Sequence, residues 1–155
     1  MIGSNCEAQG HRLRTKVGHC VQCDTSKIAR MKRFSESAFV YIAGSLRTKS
    51  IKIGTSKVPN ERHKKNSYDG YGGADDWVPL FEVKFENAGR VESDAQLMLA
   101  ASKVSSEYMK DGVTRQSSRE TFSCSFSEAK RAVMATNEKQ LDREWISPKI
   151  ALYEF

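Results

Sequence analysis

The chain has 155 residues, of which 28% are charged and 39% are hydrophobic, and its formal net charge is +6. This composition is typical of one globular domain with a small attachment, and it excludes a largely disordered protein. No stretch approaches the ~20 apolar residues that cross a bilayer, and the N-terminus lacks the apolar segment of a signal peptide. We therefore expect a cytoplasmic protein with no membrane partner.

The first 33 residues have a spacing typical of a small zinc-binding module. The series Cys-x4-His-x8-Cys-x2-Cys is formed by Cys6, His11, Cys20 and Cys23. Thiolates and imidazoles are the ligands of tetrahedral zinc, and four protein ligands leave no open position for a substrate. We therefore predict a structural Zn²⁺ within residues 1–33, with His19 as the competing histidine. The alternative is a basic arm in which the cysteines are incidental.

Positive charge is concentrated in the first part of the chain. Residues 1–65 hold 14 Lys and Arg against 4 Asp and Glu, whereas residues 66–155 hold 11 against 15. A basic half suits a polyanion that approaches one side of the molecule, because each neutralised phosphate releases counterions. This asymmetry favours DNA as a partner, although a basic surface can also be merely solvated.

Two short runs, 39–42 and 51–54, alternate in the manner of β-strands. Successive strand residues point to opposite faces, so the apolar residues share one face while Tyr41 and Lys52 share the other. The apolar residues are Val40, Ile42, Ile51 and Ile53. The intervening residues 43–50 suit a hairpin loop, and antiparallel pairing would bring a phenol beside an ammonium group. A neighbouring cation favours the phenolate, which is a plausible base near neutral pH.

Between these strands and residue 90 the sequence predicts a helix, a loop and a strand. Residues 60–66 follow Pro59 and read as a short helix that carries Arg62, with His63 expected at the surface. Residues 66–77 are rich in glycine and aromatic residues and lack a phosphate-binding fingerprint, so they predict a flexible loop with solvated Asp75 and Asp76. Residues 78–85 alternate as a half-buried strand.

The apolar spacing of residues 91–109 predicts a long amphipathic helix. Glu92 and Gln96 share one face of it and could point together into a cleft. Glu92 could instead be a first-turn acid that complements the helix dipole.

The remaining residues predict a strand, a helix and an extension. In residues 121–126 the alternation makes Cys124 a buried core thiol, which we exclude from the site. Ser125 and Glu128 have the spacing of a capping box before a helix over 129–135. Residues 136–155 could dock on the core or on another subunit, and the sequence does not decide between them.

Several of these residues together resemble a known nuclease superfamily. Val40-Tyr41, Lys52-Ile53-Gly54, Arg62, Glu92 and the run Arg119 to Phe122 are similar, in order and spacing, to the lysine-containing branch of the GIY-YIG nucleases found in phage proteins and some restriction endonucleases. The resemblance implies an α+β fold with a small antiparallel three-stranded sheet flanked by helices. The resemblance covers Phe39 to Met134, so together with the spacing of the early cysteines we predict a zinc module at 1–33, a nuclease domain at 34–135 and a C-terminal extension at 136–155.

The resemblance also implies roles for four residues. Tyr41 would be the general base assisted by Lys52, and Arg62 would steady the phosphorus, since a guanidinium can contact two phosphate oxygens. Glu92 would hold Mg²⁺ or Mn²⁺, which prefer oxygen ligands, with Glu120 as the rival ligand. Some branches carry a histidine one helical turn after the arginine, where this chain has Asn66.

The sequence therefore predicts a metal-dependent endonuclease that hydrolyses DNA phosphodiester bonds. One alternative is a catalytically inactive zinc-containing module that binds DNA or regulates another protein. A further alternative is a zinc-stabilised protein-interaction module whose positive charge is incidental.

Overall fold

The structure, a computed structural model, describes Cys20 and residues 26–155. These residues form an α+β fold with four α-helices and a six-stranded antiparallel sheet. The helices are α1 (Ser26–Ser35), α2 (Pro59–Tyr68), α3 (Ala88–Met98) and α4 (Phe126–Met134). The strands are β1 (Ala38–Ser45), β2 (Ser50–Ser56), β3 (Val78–Phe85), β4 (Lys103–Val104), β5 (Glu107–Lys110), β6 (Thr114–Ser117), β7 (Thr121–Phe122) and β8 (Trp145–Ile146). The sheet has the order β4-β7-β2-β1-β3-β8, and β5 and β6 form a separate hairpin.

The prediction of a three-stranded sheet is wrong, because three very short strands extend it. The centre is formed by β1, β2 and β3, whose alternation the sequence shows clearly. At one side Ile51 and Lys52 of β2 pair with β7, which also pairs with β4, and at the other side β8 pairs with β3. A two-residue strand has no period to detect, so its pairing partner rather than its local sequence determines it.

One face of the sheet forms the hydrophobic core. The four apolar residues of β1 and β2 that were predicted to share a face are fully buried. They belong to one cluster with Val91 and Ala95 of α3 and Val133 of α4. Complete burial of a Val or Ile side chain contributes roughly 1.5–3 kcal/mol. This face therefore holds the sheet against α3 and α4.

The opposite face is covered by α2 and by residues 71–77. The buried residues of α2 are Pro59, His63 and Asn66, which lie on one side of the helix. A second, smaller cluster on this face contains Tyr41, Ala43, Tyr71, Ala74 and Trp77. This face is also closed to solvent at its centre, but it is lined by polar groups.

The helix predicted over 91–109 is shorter than expected. It ends at Met98, and after a short 3-10 turn over Ala100–Ser102 the chain becomes extended in β4 and β5. Val104 pairs with Thr121, whose hydroxyl donates to the Val104 carbonyl oxygen at 2.7 Å. Pairing with distant strands therefore overrides the helical spacing of this segment.

The C-terminal residues dock on the core of the same domain. Ile146 of β8 pairs with Phe81, and the Tyr153 side chain is buried in the main cluster. The capping box of Ser125 and Glu128 is present at the start of α4. Cys124 is buried as predicted, and burial raises the pKa of its thiol to about 11.

The predicted zinc module lies largely outside the described residues. Of its four proposed ligands only Cys20 is described, whereas Cys6, His11 and Cys23 are not. Among the described residues, no helix has the length and apolar character needed to span a bilayer.

Candidate functional site

Tyr41 of β1 and Lys52 of β2 project from the same face of the sheet, as the alternation predicts. Tyr41 pairs in register with Gly54, and Lys52 pairs with Ala43, so the two side chains are diagonal neighbours. The Lys52 ammonium nitrogen lies 5.9 Å from the centre of the Tyr41 ring. Tyr41 is 1% exposed and Lys52 is 0% exposed. The phenol and the ammonium therefore meet away from bulk water, where electrostatic interactions are stronger.

The buried charge of Lys52 is stabilised by two neighbours. Its ammonium group forms an ion pair with the carboxylate of Glu120 and lies 4.0 Å from the centre of the Tyr71 ring. Burial lowers the pKa of Lys52, but the neighbouring phenols and the Glu120 carboxylate outweigh burial and raise that pKa above its ordinary value. Lys52 is therefore charged throughout the physiological pH range.

Gly54 leaves space for the Tyr41 side chain. A Cβ atom at position 54 would lie 2.6 Å from the Tyr41 hydroxyl oxygen and 2.8 Å from the ring carbon that bears it. Contacts this short require the tyrosine to move, and its ring is enclosed on all sides. The glycine of Lys52-Ile53-Gly54 thus permits the observed position of the phenol.

Helix α2 brings two polar side chains to the Tyr41 hydroxyl. Asn66 Nδ2 donates to that oxygen at 3.4 Å, and the Arg62 guanidinium is close enough to interact electrostatically with Tyr41. Burial lowers the pKa of Arg62, but its contact with Tyr41 outweighs burial and raises that pKa. The phenol oxygen is therefore flanked by two permanent positive charges, those of Lys52 and Arg62.

The side chain of Glu92, which lies in α3, reaches Thr55 near the end of β2. Its Oε2 accepts a hydrogen bond from Thr55 Oγ1 at 2.9 Å, and its Oε1 accepts one from Gln96 Nε2 at 3.1 Å. Burial, together with the nearby charge of Glu120, raises the pKa of Glu92 to about 6. The predicted sharing of a helix face by Glu92 and Gln96 is confirmed.

Glu92 offers one carboxylate that fits a hard divalent cation, and Glu120 lies close enough to act on the charge of that carboxylate. Magnesium and manganese take oxygen ligands, retain several waters and need only one or two protein carboxylates. Within the part of the chain that the structure describes, no group of three or more His, Cys, Asp or Glu side chains is placed to hold a metal. A cation here would therefore be bound largely by water and substrate oxygens.

Two further residues lie at the site. The prediction for His63 is wrong, and Glu82 was not predicted to be there. His63, expected at the surface, is buried, with its Nε2 3.2 Å from Glu82 Oε1. Its ring packs edge-on against Tyr41 at 4.8 Å between ring centres. A sequence signal could have shown that His63 is buried, because Pro59, His63 and Asn66 are spaced along one face of α2. Glu82 is opposite Tyr41 in the pairing of β1 with β3, which no local pattern reveals.

The loop after α2 contributes one side chain to the site and secures the far end of β1. Tyr71 covers Lys52, and its carbonyl oxygen accepts a hydrogen bond from Trp77 Nε1 at 2.8 Å. Asp76 accepts hydrogen bonds from the Ser45 hydroxyl and the Arg47 amide, and Asp75 forms an ion pair with Arg47. The two aspartates thus hold the turn between β1 and β2 and do not contribute to the site around Tyr41 and Lys52.

Comparison with known proteins identifies one family. No curated protein and no solved structure matched the chain. The T5orf172 domain matches residues 38–137, a range that contains β1, β2, α2, α3 and α4 and therefore all four predicted catalytic residues. The chain belongs to the family of T5orf172 domains.

Proposed function

We propose that this protein is a metal-dependent endonuclease that hydrolyses phosphodiester bonds in DNA. The observation that supports this most is the convergence of four chemically different side chains from separate elements. They are Tyr41, Lys52, Arg62 and Glu92, and we call them the catalytic cluster. Electrostatic interactions connect Tyr41 with both cations, and connect Lys52 with Glu92. A base, fixed positive charge and an oxygen ligand for a metal are the groups that phosphodiester hydrolysis requires.

Tyr41 is the proposed general base. Its phenolate oxygen takes a proton from a water molecule, the water oxygen forms a bond to phosphorus, and the bond from phosphorus to the leaving oxygen breaks. Lys52 and Arg62 each place a positive charge near the Tyr41 side chain. Arg62 has five N–H donors, so it can also contact phosphate oxygens and stabilise the negative charge that accumulates on them.

Glu92 is the proposed ligand of Mg²⁺ or Mn²⁺. Glu120 is already paired with the buried Lys52 ammonium, whereas Glu92 accepts only neutral hydrogen bonds from Thr55 and Gln96. A divalent cation would supply charge neutralisation at the phosphate and the leaving oxygen. We therefore assign Glu120 to the positioning of Lys52 and Glu92 to the metal.

A second candidate function is DNA binding without catalysis. The burial of Tyr41 favours it, because a base must be reached by the water that it deprotonates. In this alternative Tyr41 and Lys52 are retained only as a buried polar cluster, and the positive charge of residues 1–65 supplies the affinity.

A cleavage assay with controlled metal separates these functions. Full-length protein stripped of metal is incubated with supercoiled, linear and branched DNA, and Mg²⁺ or Mn²⁺ is then restored. We expect cleavage only with the metal, and we expect Glu92→Gln to need more metal than the wild type. If Glu92→Gln needs the same metal concentration as the wild type, the assignment of Glu92 as the metal ligand is rejected. Binding of all three DNAs without any cleavage would favour the second candidate.

We also propose that Cys6, His11, Cys20 and Cys23 bind one structural Zn²⁺. Their spacing is the support for this proposal. Elemental analysis of protein purified without added metal should find about one zinc per chain. Cys20→Ser should lower that content, and a zinc-free wild-type protein would reject the proposal.

A further inference from the structure

We propose that a cationic pocket beside the catalytic cluster binds a second phosphate group of the DNA strand, adjacent to the phosphate that is cleaved. This inference rests on the proposed function and adds a contact to the same site. Part of the pocket lies outside residues 38–137, where the family match is found, because α1 supplies one of its walls.

The pocket lies between α1, the end of β2 and the start of α2. Its volume is about 200 Å³, far more than the roughly 10–15 Å³ that one water molecule needs. The charged lining residues are Arg33, Glu36, Lys57 and Arg62. Three cations face one carboxylate, so the lining carries an excess of two positive charges. This charge and size suit a phosphate group with part of its hydration shell.

The pocket is continuous with the catalytic cluster through two shared residues. Thr55 lines the pocket and donates to Glu92, the proposed metal ligand. Arg62 lines the pocket and interacts electrostatically with Tyr41, the proposed base. A strand whose scissile phosphate lies at Tyr41 and Glu92 therefore passes the mouth of this pocket.

The wall formed by α1 is fixed to the rest of the domain. A Cβ atom at Gly89 would lie 2.8 Å from the Arg33 carbonyl carbon, so the end of α1 packs directly on the start of α3. The backbone amide of Ala88 also donates to the Glu36 carbonyl oxygen at 3.3 Å. The backbone at Arg33 thus has a defined position relative to Arg62, which a flexible arm would not give.

Glu36 acts as an internal competitor for the anion. Its Oε2 lies 3.2 Å from Lys57 Nζ, so it partly satisfies the lysine that the phosphate would contact. A phosphate that enters the pocket must compete with this carboxylate. Removal of the Glu36 charge should therefore strengthen DNA binding, whereas removal of the Arg33 or Lys57 charge should weaken it.

The test is the DNA affinity of the full-length protein without added Mg²⁺ or Mn²⁺, measured by fluorescence anisotropy with a labelled duplex over a range of salt concentrations. Arg33→Gln and Lys57→Gln should each weaken binding by about 5- to 10-fold and reduce the slope of log K against log salt by about 0.9. Glu36→Gln should tighten binding by about 3-fold. The matched control is Lys149→Gln, an exposed lysine that precedes the final turn over Ile150–Tyr153 and does not line the pocket.

The proposal is overturned if Arg33→Gln and Lys57→Gln lose no more DNA affinity than Lys149→Gln does. It is also overturned if Glu36→Gln binds DNA with the same or lower affinity than the wild type. Thermal melts of each variant establish that it is folded. Because the assay contains no added metal, its outcome does not depend on cleavage. If the affinities change as predicted but the protein never cleaves DNA, the nuclease function is rejected and the phosphate pocket is retained. If the protein cleaves DNA but the affinities do not change, the pocket is rejected and the nuclease function is retained.

Discussion

The two faces of the β1–β2 hairpin are equally buried but chemically opposite. Ile53 and Lys52 are neighbours in β2, and both side chains are completely inaccessible to solvent. The isoleucine packs in the main core, whereas the lysine lies between a carboxylate and aromatic rings. Burial of a charge costs several kcal/mol even when it is paired, so stability alone does not explain the lysine. The difference agrees with the proposal that the core face serves folding and the polar face, which carries Tyr41 and Lys52, serves chemistry.

The first prediction separates the faces by substitution of adjacent residues. Ile53→Ala should lower the free energy of unfolding by about 2–5 kcal/mol, because it creates a cavity in a closed core. Lys52→Met removes the charge with a side chain that is only one atom shorter, and the Glu120 side chain that it leaves unpaired is 34% exposed and can be hydrated. Lys52→Met should therefore unfold close to the wild-type urea midpoint while its DNA cleavage is largely lost.

Equal stability losses in these two variants would contradict the division between the faces. Full cleavage by Lys52→Met would remove Lys52 from the proposed mechanism.

The second prediction concerns one glycine on each face. A Cβ at Gly44 would lie 2.8 Å from a Leu80 methyl carbon and 2.6 Å from the Tyr153 ring, whereas a Cβ at Gly54 would meet Tyr41. Gly44→Ala and Gly54→Ala should each cost about 1–3 kcal/mol of stability through overpacking. Only Gly54→Ala should also lower kcat per folded molecule, because it displaces the proposed base. Thermal melts with single-turnover cleavage rates make this comparison, and equal kcat values would contradict it.

Strand and helix periodicity in the local sequence predicts part of the fold and of the candidate site. Alternation places Tyr41 and Lys52 together, and it places Cys124 in the core. Helical spacing correctly pairs Glu92 with Gln96, and it would also have shown that His63 faces the sheet.

Long-range pairing determines what the sequence could not predict. Glu120 reaches Lys52 because β7 pairs with β2, and these residues are 68 positions apart in the chain. Tyr71 covers Lys52 from a loop with no regular pattern. The two-residue strands and the shortened α3 have the same cause, since in each case a distant partner outweighs the local preference.

The third prediction uses the raised pKa of Glu92, on α3, to measure the cost of burying a carboxylate in the proposed site. The pKa is about 6 in the folded protein against an ordinary value of 4.5, so folding favours the neutral form. The wild type therefore loses stability as the pH rises through about 6, whereas Glu92→Gln has no such loss. In EDTA, the stability of the variant relative to the wild type should rise by about 2 kcal/mol between pH 4.5 and pH 7.

The matched control is Glu61→Gln, which removes an exposed carboxylate of α2 and keeps Glu92, so it should lose stability with rising pH as the wild type does. Urea denaturation at several pH values gives both curves. A wild-type advantage that grows with pH would contradict the direction of the Glu92 shift.

The fourth and smallest effect is expected at the cap of α4, which belongs to the core face. Ser125 accepts a hydrogen bond from the Glu128 amide at 3.2 Å, and the Ser125 amide donates to Glu128 Oε2 at 2.9 Å. Ser125→Ala should cost about 1 kcal/mol of stability and leave cleavage by the folded protein unchanged. A loss of kcat would show that the core face also controls the chemistry.

The most direct test of the central claim removes one oxygen atom from the polar face. Tyr41→Phe deletes the proposed base and should lower single-turnover DNA cleavage by roughly 10²-fold or more while DNA affinity is retained. The control Tyr68→Phe removes the same atom from a side chain that is 84% exposed, and it should cleave at the wild-type rate. Wild-type cleavage by purified Tyr41→Phe would contradict the assignment of Tyr41 and, with it, the proposed function of this face.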